Sequence, residues 1–167
     1  THLLKGAKII LNNENISQKK FWIYFKKYKI NSFGGVPQFY EFLKRLDFQK
    51  FGLEYLKYVT QAGGKLENDI KKYFLKLSET HKFKFYSMYG QTEASPRISS
   101  FEINKYPNKI ESVGKAIAGV KVKIINKSKI LENKFYLGEL EIRGENVSLG
   151  YSKSIKDLKF GDINKSK

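Results

Sequence analysis

The stretch "FYSMYGQTEAS" (residues 85–95) sets how the whole chain reads. An aromatic, strand-forming run ends at Gly90, and a Thr92-Glu93 pair appears where the chain must turn. Glycine lets backbone approach a ligand closely, and a threonine hydroxyl can donate to a phosphate oxygen. A carboxylate one residue on can hold Mg²⁺, a hard cation that takes oxygen ligands and bridges to phosphates. Tyr89, just before the glycine, offers a flat face on which a purine could stack. The same pair also suits the start of a short helix, where hydroxyls and carboxylates meet orphan amides and the positive end of the dipole. On spacing alone the helix start is the simpler reading.

Outward from this stretch, strand and helix patterns alternate over the first hundred residues. "AKIIL" (residues 7–11) is a continuous apolar run, as expected of a strand buried on both faces. Ser17 is an N-cap candidate for a helix reaching Tyr28, with Phe21, Phe25 and Tyr28 on one face. "INSF" (residues 30–33) reads as a strand ending in Gly34-Gly35, and Pro37 opens a helix carrying Phe39, Phe42, Leu43 and Leu46. "YVTQA" (residues 58–62) is a strand closed by Gly63-Gly64. A helix with Leu66, Ile70, Phe74 and Leu77 leads to the strand "FKFYSMY" (residues 83–89). Strands alternating with amphipathic helices imply a mostly parallel sheet with flanking helices. The turns "GGVP", "AGGK" and "YGQTEAS" then share one carboxyl edge, where open sheets bind ligands. Tight turns need glycine anyway, so for these three at one edge the functional and structural readings weigh about equally.

After about residue 105 the pattern changes. "GVKVKII" (residues 119–125) and "GELEIRG" (residues 138–144) alternate apolar and polar with period two, around a polar hairpin-like connection, "NKSKILEN". A small antiparallel, barrel-like subdomain over residues 106–167 is expected beside a βα subdomain over residues 1–105, with a frayed C-terminus. The aromatic group Phe21, Trp22, Tyr24 and Phe25 reads as core, and His2 and His81 as bystanders.

Composition narrows the classes. The chain has 167 residues, 41% of them hydrophobic, with 13 Phe and 11 Tyr, which argues for a packed core rather than disorder. No apolar run approaches the roughly 20 residues of a membrane span. Cysteine is absent, which excludes a disulfide framework or thiolate metal site and fits a reducing, cytoplasmic compartment. A start at Thr1, with no basic-then-apolar leader, reads as a segment of a longer protein. The net charge of +16 raises a nucleic-acid or anionic-glycan partner. Lysine dominates those cations, however, with arginine only at Arg45, Arg97 and Arg143, and they are dispersed along the chain. A solvated lysine coat, with no nucleic-acid partner, is the favoured reading.

The order of motifs tips the balance at Thr92-Glu93 toward a functional role. "LLKGAKIIL", "SFGGVP", "TQAGGKL", "YGQTEAS", "SVGKAIAGVKVKI" and "GELEIRGENVSLGY", in that sequence, resemble the adenylate-forming superfamily of acyl-CoA synthetases and adenylation domains. The likeness covers nearly the whole chain. It implies an ATP-dependent ligase that activates a carboxylic acid as an acyl-adenylate and passes the acyl group to coenzyme A or an acyl-carrier protein. It further implies that Gly63, Gly64 and Gly90 border the nucleotide (ATP or AMP), that Tyr89 stacks on the base, and that Thr92 meets the α-phosphate. Glu93 would ligate Mg²⁺. Ser87 stands where many relatives carry an adenine-contacting Asn. Gly34, Gly35 and Met88 fall near the implied acyl pocket. The phosphate loop and lysine-bearing domain of such enzymes have no counterpart here, so the segment alone is expected to be inactive. "FGD" (residues 160–162) lacks the threonine of the ribose-binding motif, and Asp162 reads as a surface turn.

Overall fold

The computed structural model describes residues 2–130 and 135–160. Its main sheet has five strands in the order β1 (Ser32–Gly35), β2 (Tyr58–Gln61), β3 (Lys84–Tyr89), β4 (Ser99–Glu102) and β5 (Lys115–Ala116). β1, β2 and β3 are parallel, with Gly35 beside Gln61 and Gln61 beside Ser87. β4 and β5 add antiparallel. A second, two-stranded antiparallel sheet joins β6 (Val120–Ile130) to β7 (Phe135–Gly144). The architecture is α/β with a small antiparallel addition, as the alternating patterns predict.

Three helices supply the cover: α1 (Lys19–Lys27), α2 (Pro37–Arg45) and α3 (Asn68–His81). Pro37 occupies the first turn of α2, where its missing N–H is no loss and its fixed φ suits the helix. α3 buries Ile70, Phe74 and Leu77 at helical spacing and ends at Lys82, whose left-handed backbone returns its N–H to the Ser78 carbonyl. These faces meet the sheet through Tyr40, Leu43, Phe48, Phe74, Val59 and Phe85, all fully enclosed. Each such side chain contributes about 1.5–3 kcal/mol by leaving water. The Tyr40 hydroxyl is not stranded there, because it donates to the Thr60 carbonyl at 2.7 Å.

Strand alternation sorts the sheet residues onto two faces. Phe33, Val59 and Phe85 face the helices and belong to the core, as the aromatic contacts of Tyr40 with Phe33 and Phe85 confirm. Gly34, Thr60, Tyr86 and Glu102 stand in one row across the opposite face, and Ser100 pairs with Met88 two positions along.

Four expectations need correction. Residues 7–11 form no strand; all but Ile10 are exposed, because β1 is the edge of the sheet and no strand among the described residues pairs with them. α1 starts at Lys19 with Gln18 at the cap position, since Ser17 donates its amide and hydroxyl to Asn15 Oδ1 at 3.0 and 3.1 Å instead. Gly34 and Gly35 lie inside β1 rather than after it, and the turn is made at Val36. The segment read as a polar connection begins as strand: β6 runs on to Ile130 through an irregularity between Ile125 and Ser128. Residues 131–134, the rest of that connection, lie outside the described residues, as does Asp162. Ahead of the latter, Ile155–Phe160 forms a 3-10 helix, with Asp157 accepting from the Lys153 and Ser154 amides at 2.7 and 2.8 Å.

Candidate functional site

Three parallel strands place their outgoing turns along one edge, and the first two of those turns touch. The Ala62 amide donates to the Gly35 carbonyl at 3.1 Å. Gly63 sits at φ +83°, in the left-handed region that side chains disfavour, and an added Cβ there would come within 3.1 Å of Val36. The residue that holds this turn was not anticipated from the sequence. Gln61 is 1% exposed, and its Nε2 donates to the Gly64 carbonyl at 2.8 Å. Ser87 Oγ donates to its Oε1 at 3.4 Å, so one buried amide links the second turn to the third strand. A Gln one residue before an Ala-Gly-Gly turn, in a strand otherwise apolar on its inner face, is the signal that could have found it.

Gly90 permits the third turn. A Cβ there would collide with the Pro96 carbonyl oxygen, so the returning chain can pass only over a glycine. Thr92–Ala94 is a single 3-10 turn; Gln91 precedes it in extended conformation and makes no side-chain cap. Thr92 and Glu93 therefore do begin a helical turn, yet neither side chain caps it. Thr92 is exposed, while Ala94 is buried and pins the turn against Ile98 and Val120.

The segment after β7 clamps the same turn. Asn146 Nδ2 donates to the Ala94 and Arg97 carbonyls at 2.7 and 2.9 Å. The Ser148 amide donates to the Glu93 carbonyl at 2.7 Å, and the Tyr151 hydroxyl donates to Glu93 Oε1 at 2.5 Å. This hydroxyl holds the Glu93 carboxyl below the usual carboxylate range, and the carboxylate in turn raises the Tyr151 phenol. Glu93 is thus a carboxylate at neutral pH. Asn146 and Tyr151 were equally unanticipated from the sequence; an Asn just past a glycine-terminated strand is the kind of residue that clamps neighbouring carbonyls.

The other expected site residues divide between the two faces. Tyr89 packs against Ala94, Ile98 and Val120, so part of its ring is committed to that small cluster. Ser87 is 5% exposed and faces inward. Gly34 and Met88 share the face away from the helices, where a Cβ on Gly34 would meet Thr60 Oγ1. Gly35 lies on the other face, where a Cβ would press into the Phe39 ring. The sheet thus puts Gly34 and Met88 on one face, two strands apart, and Gly35 on the other. His2 approaches the Tyr58 hydroxyl at 3.4 Å, and His81 ends α3. A groove lined by Trp22, Ile23, Leu46, Phe51 and the lysines Lys19, Lys26, Lys27 and Lys50 contains none of these residues.

Among the described residues no three of His, Cys, Asp or Glu gather into a metal cluster. A Mg²⁺ ion that arrives with a nucleotide needs only one or two carboxylates and completes its octahedron with phosphates and water. The ionised Glu93 carboxylate has the chemistry to be one of them.

Comparisons with known proteins identify the family and the fold. The chain belongs to the AMP-binding enzyme family, whose sequence profile matches residues 1–152. The o-succinylbenzoate–CoA synthetase of Bacillus subtilis, solved with ATP and magnesium ion, superposes with a TM-score of 0.67 at 17% identity over 93% of this chain and 31% of that one. A long-chain-fatty-acid–CoA ligase of Archaeoglobus fulgidus superposes with a TM-score of 0.61 at 22% identity, over 83% of this chain and 29% of its own. No curated protein sequence matches. The chain spans about a third of the solved relatives' length and shares the fold of that portion.

Proposed function

We propose that this chain forms the nucleotide-facing part of an ATP-dependent acid–thiol ligase that acts through an acyl-adenylate. The observation that supports it most is the run of turns that leave β1, β2 and β3 along one sheet edge, the second built on Gly63-Gly64 and the third on Gly90, with Thr92 and Glu93 on the turn clamped by Asn146. In the reaction, an oxygen of the carboxylic acid attacks the α-phosphorus of ATP and the bond to pyrophosphate breaks. A thiol, on coenzyme A or an acyl-carrier protein, then attacks the acyl carbon and AMP leaves.

In this reading Gly63, Gly64 and Gly90 let backbone approach the nucleotide without side-chain interference. The free part of the Tyr89 ring faces the base, with Ser87 beneath it. The Thr92 hydroxyl donates to an α-phosphate oxygen, and the Glu93 carboxylate holds Mg²⁺. When bound, the metal neutralises charge that develops on the phosphates. Gly34 and Met88 border the acyl group, with Gly35 contributing backbone only. The division into a βα part (1–105) and a barrel-like part (106–167) and a cytoplasmic location accompany the reading.

The test is calorimetric titration of this chain with adenine and guanine nucleotides, with and without Mg²⁺. Preference for the adenine nucleotide is expected. Equal affinity for guanine nucleotides, falling steeply with salt, would instead mark simple attraction of phosphate to lysine.

A further inference from the structure

We infer that Tyr151 is a positioning residue for the metal-holding carboxylate. The inference rests on the reading of Glu93 just given and deepens it. Tyr151 Oη donates to Glu93 Oε1 at 2.5 Å, within the range of a charge-assisted O–H···O⁻ bond. That bond occupies one carboxylate oxygen and fixes the plane of the group, which leaves Oε2 as the oxygen to turn toward a cation.

Two features separate this from a chance surface contact. First, the backbone around Tyr151 is delivered by other bonds. The Ser148 amide reaches the Glu93 carbonyl at 2.7 Å, and Asn146 holds the Ala94 and Arg97 carbonyls at 2.7 and 2.9 Å. The loop therefore stays in place without the phenol. Second, Tyr151 is 69% exposed, so it adds little to the core and its hydroxyl bond is its distinctive contact. A hydrogen-bond partner of this kind fixes a ligand's orientation and tunes its basicity, and losing one costs about 10–100-fold in metal affinity. A free Glu side chain must also surrender rotamer freedom on binding metal, and a pre-oriented one has already lost it.

The experiment measures the affinity of this chain for Mn·ATP and for metal-free ATP by equilibrium dialysis. The ratio of the two affinities is the metal's contribution. In Tyr151→Phe the ratio is expected to fall by about tenfold, with metal-free ATP binding unchanged and the near-ultraviolet circular dichroism intact. Glu93→Gln should lower the ratio further, and adding Tyr151→Phe to Glu93→Gln should change nothing more, because the phenol acts through the carboxylate. An unchanged ratio in Tyr151→Phe overturns the inference and leaves the nucleotide reading standing. Equal loss of both affinities also overturns it, by making Tyr151 a mere tether of the loop. If the unaltered chain binds ATP with no preference for the metal complex, the role of Glu93 fails and this inference fails with it.

Discussion

Gln61 reaches over its own turn to the Gly64 carbonyl, donating at 2.8 Å from a side chain that is 1% exposed. The contact joins an enclosed strand to the glycine pair proposed to border the nucleotide. Gln61→Leu keeps the approximate volume and removes the donor, so the exposed Gly64 carbonyl turns to water while the buried Ser87 Oγ loses its partner. A buried group left unpaired costs about 1–3 kcal/mol, so the urea midpoint should drop accordingly. Adenine nucleotide affinity should fall as well, because the turn loses its fixed conformation. Unchanged affinity in the folded variant would show that the turn does not depend on this amide.

Glu93→Gln preserves size and removes charge. If the proposed ligase activity holds, adenylate formation by the full-length protein, measured by pyrophosphate exchange, should slow by one or more orders of magnitude, since such a contact is worth about 3 kcal/mol. Thiol transfer from a pre-made acyl-adenylate should suffer much less. Thr92→Val should also slow adenylation, by removing an exposed hydroxyl at similar volume. Both variants should melt close to the parent, because Thr92 is exposed and Glu93 lies outside the core. Unfolding with intact adenylation in the folded remainder would make the pair a structural helix start.

Lys71 carries a pH prediction. It is 5% exposed on α3, and its Nζ donates to the Ile110 carbonyl at 3.0 Å. Burial pulls its pKa below the ordinary lysine value, with Glu111 opposing in part. The folded state therefore binds this proton less tightly than the unfolded chain does. Its destabilising effect is full at pH values below the folded pKa and fades as pH climbs toward the unfolded value of about 10.4. Compared with Lys71→Met, the parent should gain stability in urea melts as pH rises from 7 to 10. A gap that stays constant over that range removes charge burial as the cause.

The lysine coat gives a binding prediction. Six ion pairs are found among the described residues, so most of the lysines and arginines described there make no ion pair. Random duplex DNA should bind no tighter than about 1 μM at physiological salt and without sequence preference. Sequence-dependent affinity well below that, in fluorescence anisotropy, would favour a nucleic-acid partner.

Elements with strong periodicity and punctuation were legible in the sequence. α2 and α3 announced themselves by Pro37 and by Ile70, Phe74 and Leu77, and β2 and β3 by β-branched and aromatic runs before glycines. β4 and β5 were not, because "SSFE" and "KA" are too short to show alternation and are strands only by virtue of the β3 edge they join. The run at residues 7–11 erred in the other direction: apolar character suits a strand, but a strand also needs a neighbour to pair with. Within the site, Thr92 and Glu93 could be named from a motif. Gln61, Asn146 and Tyr151 act across 3, 52 and 58 positions respectively, and for the last two no local pattern encodes such a reach.

The β6–β7 hairpin is rooted where Val120 and Ile142 join Ala94 and Ile98. Farther out, Val122, Ile124, Tyr136, Leu137 and Leu140 are all open to water. A two-stranded ribbon holds itself together only marginally, so its amide protons should trade for deuterium quickly at the Ile130 end and slowly near Val120. β2, flanked by strands on both sides, should keep its protons longer than either. The segment bearing Asn146 and Ser148 leaves the hairpin at its slow end. The clamp on Glu93 is therefore moored to the slow-exchanging root of the ribbon.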